Sequence, residues 1–97
     1  ATYEFSAEVW IWPGKAAWHF ISLPQDISNE IKTMYQGLTR GWGSLPVHVT
    51  IGNSKWQTSI FPDSKSNCYI LPVKVAARKA EGIVAGQSVH ARIDIAA

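Results

Sequence analysis

The chain has 97 residues, 46% of them apolar and 16% charged, which suits one globular domain and excludes a disordered chain. Nine basic against seven acidic side chains leave a charge of +2, too little for a strongly electrostatic nucleic-acid binder, so nucleic acid is expected to bind weakly at most. The single Cys68 excludes an internal disulfide, no signal-peptide pattern opens the chain, and no apolar run approaches the roughly 20 residues of a membrane span; the expectation is a soluble cytoplasmic protein with no membrane partner.

Residues 4–11 alternate, with Phe5, Ala7, Val9 and Ile11 on one side and Glu4, Ser6, Glu8 and Trp10 on the other, the pattern of a half-buried strand. Pro13-Gly14 turns the chain, and residues 17–23 read as the hairpin partner. Pro24 can open a helix because the first helical N–H needs no partner. Ile27, Ile31, Met34, Tyr35 and Leu38 then follow helical spacing, and Gly37 is a natural stop. Gly41-Trp42-Gly43 reads as a loop, and Leu45, Val47, Val49 and Ile51 as a third strand. After a Gly52-Asn53 hairpin turn, Trp56, Thr58 and Ile60 form a strand, residues 61–67 a polar loop, and residues 68–71 the return strand. Pro72 opens a second helix with Val73, Ala76, Ala77 and Ala80 on its apolar face and Gly82 at its end; Val89, Ala91, Ile93 and Ile95 alternate in the last strand.

The two halves repeat one another. Ile11-Trp12-Pro13 returns as Ile60-Phe61-Pro62, Leu23-Pro24 as Leu71-Pro72, and Val47-His48-Val49-Thr50-Ile51 as Val89-His90-Ala91-Arg92-Ile93, at spacings of 49, 48 and 42 residues. A period of this size marks a structural unit. Each unit is strand–strand–helix–strand, so residues 4–51 and 54–95 are expected to form two pseudo-repeats of a single domain, 1–97. Six strands with aromatic faces favour closure into a small barrel over an open sheet. The aromatic residues, including five Trp, are expected mostly to fill its core.

The stretch from Tyr69-Ile70-Leu71-Pro72 through Gly82-Ile83-Val84-Ala85-Gly86-Gln87-Ser88-Val89 resembles AbrB-like and MazE-like swapped-hairpin modules. Gln87 stands where those modules carry Asp, and Ala76 where AbrB-like chains often place a basic residue, so the resemblance implies the fold and not operator binding. Nearly the whole chain is similar to a small prokaryotic family of unknown function with a double-split β-barrel. The residues that carry this similarity include Trp18-His19-Phe20, Gly41-Trp42-Gly43, Thr58-Ser59-Ile60-Phe61-Pro62 and Tyr69-Ile70-Leu71-Pro72-Val73-Lys74. The resemblance implies a mainly β, double-split AbrB-like barrel of two ββαβ repeats, capped by two short helices, in effect a dimer fused into one chain. Such a chain needs no second copy to close and is expected to be a monomer.

Motifs for chemistry are sparse. His48 and His90 occupy matching positions and should point outward as solvated residues; a metal between them would lack further ligands, and neither metal nor cofactor is expected. His19, between Trp18 and Phe20, reads as a hydrogen-bonded structural residue. Ser59 has no nucleophile elbow, and Asp26, Glu30, Asp63 and Asp94 show no convergent spacing, so a non-enzymatic module is favoured over an enzyme with a barrel-end pocket. Charge is uneven: residues 1–51 sum to −1 and residues 52–97 to +3, so an anion-recruiting face should come from the second half. Lys74 and Arg78, one helical turn apart, can reach one phosphate or carboxylate, though Arg78 can also pair with Glu81. Trp42 between its glycines either stacks on a ligand or plugs the barrel end, with Arg40 beside it. The candidate ligand-binding residues are therefore Lys74, Arg78, Trp42 and Arg40. The expected function is a small binding module for an anionic ligand or a protein partner, with an AbrB-like DNA-binding regulator as the alternative.

Overall fold

The structure, a computed structural model, describes residues 1–14, 17–39 and 41–95. Six strands, β1 (Thr2–Ile11), β2 (His19–Ser22), β3 (Leu45–Ile51), β4 (Ser54–Asp63), β5 (Cys68–Pro72) and β6 (Ser88–Ile95), close in the order β1-β2-β5-β4-β3-β6. Every neighbouring pair is antiparallel. Two helices, α1 (Gln25–Met34) and α2 (Val75–Glu81), pack against β5 and β4 respectively. The chain is thus mainly β, with a closed barrel and two short helices.

Alternation decides which side chains fill the barrel. Phe5 and Val9 of β1, Ile21 of β2, Val47 and Val49 of β3, Ile60 of β4, Leu71 of β5 and Ile93 of β6 all lie in one buried cluster, as the period-2 pattern requires. Cross-strand register brings Val9 opposite Ile21, Ile21 opposite Leu71, and Val49 opposite both Trp56 and Ile93. The β3–β4 hairpin turns on Gly52-Asn53, as expected. Gly52 has φ 58°, which suits glycine, and the Glu81 carboxylate lies in the space a Cβ would need, so a larger residue would be strained and would push that carboxylate aside.

Both helices depart from their expected limits. Pro72 does not open α2. The Val73 amide donates to the His19 carbonyl at 2.9 Å, which holds the chain extended one residue past Pro72; Lys74 becomes the N-cap, and the helix runs from Val75 to a left-handed Gly82. Only Ala77 of the helix is buried, while Ala76 and Ala80 face out. Helix α1 stops at Met34, and of its expected apolar face only Ile31 and the following Tyr35 are buried. The chain must swing away after Tyr35 to reach β3, and this leaves Met34 and Leu38 exposed. The expected polar loop at 61–67 is also shorter: Phe61, Pro62 and Asp63 stay in β4, opposite Ile70, Tyr69 and Cys68.

Helix α1 is tied down by one buried hydroxyl. Ser28, 2% exposed, accepts from the Tyr69 amide at 3.0 Å and donates to the Leu23 carbonyl at 3.4 Å. The Tyr3 hydroxyl, by contrast, is buried with no partner among the described residues; burial, then Glu30 and Tyr35, raise its pKa, so it stays neutral at physiological pH. Replacing Ser28 by Ala leaves the Tyr69 N–H unpaired in the interior, which costs about 1–3 kcal/mol. Urea denaturation of Ser28→Ala should show that loss, whereas Ser66→Ala on the exposed β4–β5 turn should change stability by less than about 0.5 kcal/mol.

Candidate functional site

The barrel wears a second apolar surface on its outside. Phe20 and Ile70 point away from the core yet are 8% and 6% exposed, because other rings cover them. Trp10 stacks on Phe20 with centroids 5.2 Å apart, Trp12 meets Phe20 edge-on at 5.7 Å, and Trp18 lies nearly parallel to Phe20 at 6.2 Å. The Trp10 Nε1–H donates to Ser22 Oγ at 3.0 Å, and the Trp12 amide donates to the Trp18 carbonyl at 2.8 Å across the hairpin neck. These bonds fix the array on β1, β2 and their connection.

Of the five Trp, only Trp56 is buried. Core filling therefore holds for Phe5, Tyr35, Trp56 and Tyr69 but not for the other indoles. The signal lay in the alternation: Trp10 and Trp12 share parity with Glu8, and Trp18 shares it with Phe20 across the hairpin, so the rings fall on the solvent side of both strands.

Trp42 is the extreme case. It forms part of a single 3-10 turn, Gly41–Gly43, at φ 61° and ψ 24°. A bulky residue in the left-handed region costs on the order of 1 kcal/mol. Burial does not compensate, because Trp42 is 92% exposed, so the reading of a plug at the barrel end is corrected. Gly43 presses on the Pro62 ring, where a Cβ would come within 3.1 Å of Cγ, and so anchors the turn to β4. Trp42, Trp12, Trp18, Phe20 and Phe61 line an apolar groove of about 600 Å³.

Next to the groove, sharing Ala17 and Trp18 with it, is a cleft of about 340 Å³ between β4, the end of β5 and the start of α2. Lys74 and Arg78 both line it, as do His19 and Trp56. Arg78 does not pair with Glu81. Its Nε donates to the Val73 carbonyl at 3.3 Å, while Glu81 accepts from Ser54 Oγ at 2.8 Å. Among the described residues neither Lys74 nor Arg78 has a carboxylate within 4.0 Å. The His19 Nδ1 lies 2.8 Å from the Ala17 carbonyl; a carbonyl can only accept, so Nδ1 carries a proton and donates. This is the hydrogen-bonded histidine expected from the sequence, at the rim of the cleft.

A third depression, of about 530 Å³, shares Trp56 and Gln57 with the cleft and lies on the outer face of β3, β4 and β6. Thr50 stands opposite Lys55 on one side and Arg92 on the other, with His48 next along β3. His90 is elsewhere, bonded to Glu4 at 3.1 Å and Ser6 at 3.2 Å, so the two matching histidines do not meet. No group of three or more His, Cys, Asp or Glu side chains converges among the described residues. Asp63 accepts from Ser66, and Asp94 from Thr2, rather than facing another acid. Arg40 lies outside the described residues.

The family model that matches this barrel, over residues 5–93, is Domain of unknown function (DUF1905), and the chain belongs to that family. A comparison with curated proteins finds no match. Among the described residues no helix is long and apolar enough to cross a membrane.

The exposure of the indoles is directly measurable. Acrylamide should quench most of the intrinsic fluorescence, and Trp56→Phe should leave the quenchable part nearly unchanged. Replacing Trp12, Trp18 and Trp42 together by Phe should leave a smaller, better protected emission. Emission protected throughout would contradict the outward placement of these rings.

Proposed function

We propose that this protein is a non-enzymatic binding module whose cleft at the start of α2 takes a small anionic ligand with a flat apolar body. One observation carries the reading: Lys74 and Arg78, without a carboxylate partner among the described residues, line the same cleft as Trp18 and His19. Two cations one turn apart make charge-assisted hydrogen bonds to one phosphate or carboxylate, and an exposed indole takes the planar part by stacking. The cleft volume falls in the range of small-ligand sites. Concave placement of the cations favours this over a duplex-reading regulator, which needs a projecting element to enter a groove.

The module reading rests on a second proposal, that the barrel is a duplicated, AbrB-like ββαβ unit forming one domain. Exchanging β1 with β4, β2 with β5 and β3 with β6 returns the same neighbour order. The registers agree if Val9 matches Ile60, Ile21 matches Leu71 and Val47 matches Val89. The bond from the Leu23 amide to the Tyr69 carbonyl then exchanges with that from the Val73 amide to the His19 carbonyl. Leu23 thus corresponds to Val73, two residues beyond the Leu-Pro match visible in the sequence, a slip that keeps every side chain on its face. Ser28 corresponds to Arg78, and each donates to the carbonyl five residues before it. In one half that position is a buried serine; in the other it is an arginine at an open cleft. Symmetry breaking at this position supports a site there.

A barrel closed within one chain needs no partner strand, so light scattering in dilute solution should give a monomer mass; an obligate dimer with exchanged strands would contradict the duplicated-unit reading. For the site itself, titration calorimetry with phenyl phosphate and deoxythymidine monophosphate should detect binding. Lys74→Ala with Arg78→Ala should weaken it at least about tenfold, the effect of losing one to two charge-assisted bonds, with a cooperative melting transition retained. Lys79→Ala, outside the cleft, should have no effect. Equal affinities for all three proteins would sink the assignment.

A further inference from the structure

We propose that the ligand of this module is a single-stranded nucleic acid, laid across the molecule with phosphates on Lys55, Arg92, Lys74 and Arg78 and bases on Trp18, Trp12 and Trp42. The inference rests on the binding-module reading above and names its ligand class.

Three depressions adjoin one another. The Lys55–Arg92 depression and the Lys74–Arg78 cleft share Trp56 and Gln57 as a wall, and the cleft and the aromatic groove share Ala17 and Trp18. In that order they lead from a polar, cationic end to an aromatic end, with two more cations between them. A ligand small enough for the central cleft leaves both ends unused. A polymer with a regular anionic backbone and flat apolar side groups uses all three.

Charge and ring placement select the polymer. Lys55 and Arg92 flank Thr50 on adjacent strands, about 10 Å apart at the backbone across two strand spacings. Asp94 accepts from Thr2 and lies 3.9 Å from Arg92, and Asp63 in the groove accepts from Ser66. Asp94 offsets part of the Arg92 charge, but Lys55, Lys74 and Arg78 pair with no carboxylate among the described residues, so the surface stays net cationic. An acidic peptide would use the cations but not the indoles. A duplex would offer phosphates but no free base faces, because its bases are stacked on each other. Exposed indoles beside a cationic groove are the arrangement that holds unpaired bases, with little sequence preference, since every base has a π-face. The strained, fully exposed Trp42 fits this use: its ring stands clear of the protein and is open on its faces.

The test uses the full chain and four probes: ten-nucleotide oligo-dT, a ten-base-pair duplex, deoxythymidine monophosphate and a ten-residue polyglutamate peptide. Oligo-dT should bind in the micromolar range, quench tryptophan emission, and lose affinity with salt at a log–log slope of roughly −2 to −3, the value for three to four phosphates on a single strand. Trp18→Ala and Trp42→Ala should each lower its affinity about five- to hundredfold. Lys55→Ala with Arg92→Ala should flatten the salt slope by about 1 while leaving monophosphate binding unchanged. All four side chains are exposed, and melting curves check that the fold survives. Duplex or polyglutamate binding as tight as oligo-dT would overturn the proposal. So would equal affinity for the monophosphate and the oligonucleotide, which would leave the small-ligand module standing alone. Failure of both oligonucleotide and monophosphate, together with phenyl phosphate, would remove the module reading as well.

Discussion

The pairing of β2 with β5 is the contact on which the rest of the molecule depends. These are the two shortest strands, and they meet over Phe20–Pro72, Ile21–Leu71 and Ser22–Ile70. Without this seam the β1–β2 and β4–β5 hairpins would each expose an edge, and the sheet would not close. The seam buries both of its faces. Inside, Ile21 and Leu71 are fully buried, each contributing roughly 1.5–3 kcal/mol. Outside, Phe20 and Ile70 are covered by the indoles of the β1–β2 connection and by Phe61. The same seam delays α2: the Val73–His19 bond keeps the chain extended until Lys74, and so sets the N-cap cation and Arg78 one turn apart at the mouth of the cleft. Closure, the aromatic platform and the position of the two cations are consequences of one short ladder.

Much of the fold was legible because strand alternation survives translation into a barrel. Val47, Val49 and Ile51 in β3 and Val89, Ala91 and Ile93 in β6 are buried as their pattern requires, and the Gly52-Asn53 turn falls where expected. The element order was legible for the same reason. Helix limits were not, because they depend on tertiary hydrogen bonds: nothing local to Pro72 reveals that His19, more than fifty residues earlier, will hold Val73 extended. The strand status of Phe61 and Pro62 was hidden by the polar residues that follow them. Their pairing with Ile70 and Tyr69 is a long-range contact, not a local preference.

The candidate site divides along the same line. Lys74 and Arg78 were readable from helical spacing alone, and they do line one cleft. The expected Arg78–Glu81 pair was not formed, since Glu81 is drawn away to Ser54 beneath the β3–β4 turn, a contact that only the packed helix creates. The aromatic groove was missed for a different reason. Rings were counted as core by their hydrophobicity, although Trp10 and Trp12 sit at positions whose parity matches Glu4, Ser6 and Glu8. Parity is the stronger signal on a strand, because a residue cannot change face without moving its neighbours to the wrong one. Trp42 escaped both rules: it lies on a turn between glycines, where neither period applies.

The distribution of charge gives the barrel two unlike exteriors. Along β1 and β6 the outward row carries Glu4 hydrogen-bonded to His90, and Arg92 of β6 stands opposite Glu4 in the ladder. Around β3, β4 and the start of α2, Lys55, Arg92, Lys74 and Arg78 gather with few acids, and beyond them the surface turns aromatic. Exposed indoles and clustered cations each lower the stability or solubility of a small domain. Covering Phe20 accounts for Trp10, Trp12 and Trp18, but Trp42 is 92% exposed, and Lys74 and Arg78 pair with no carboxylate among the described residues. Indoles and cations lie next to one another, with Trp18 lining both the cleft and the groove, and such a juxtaposition is what a binding surface requires.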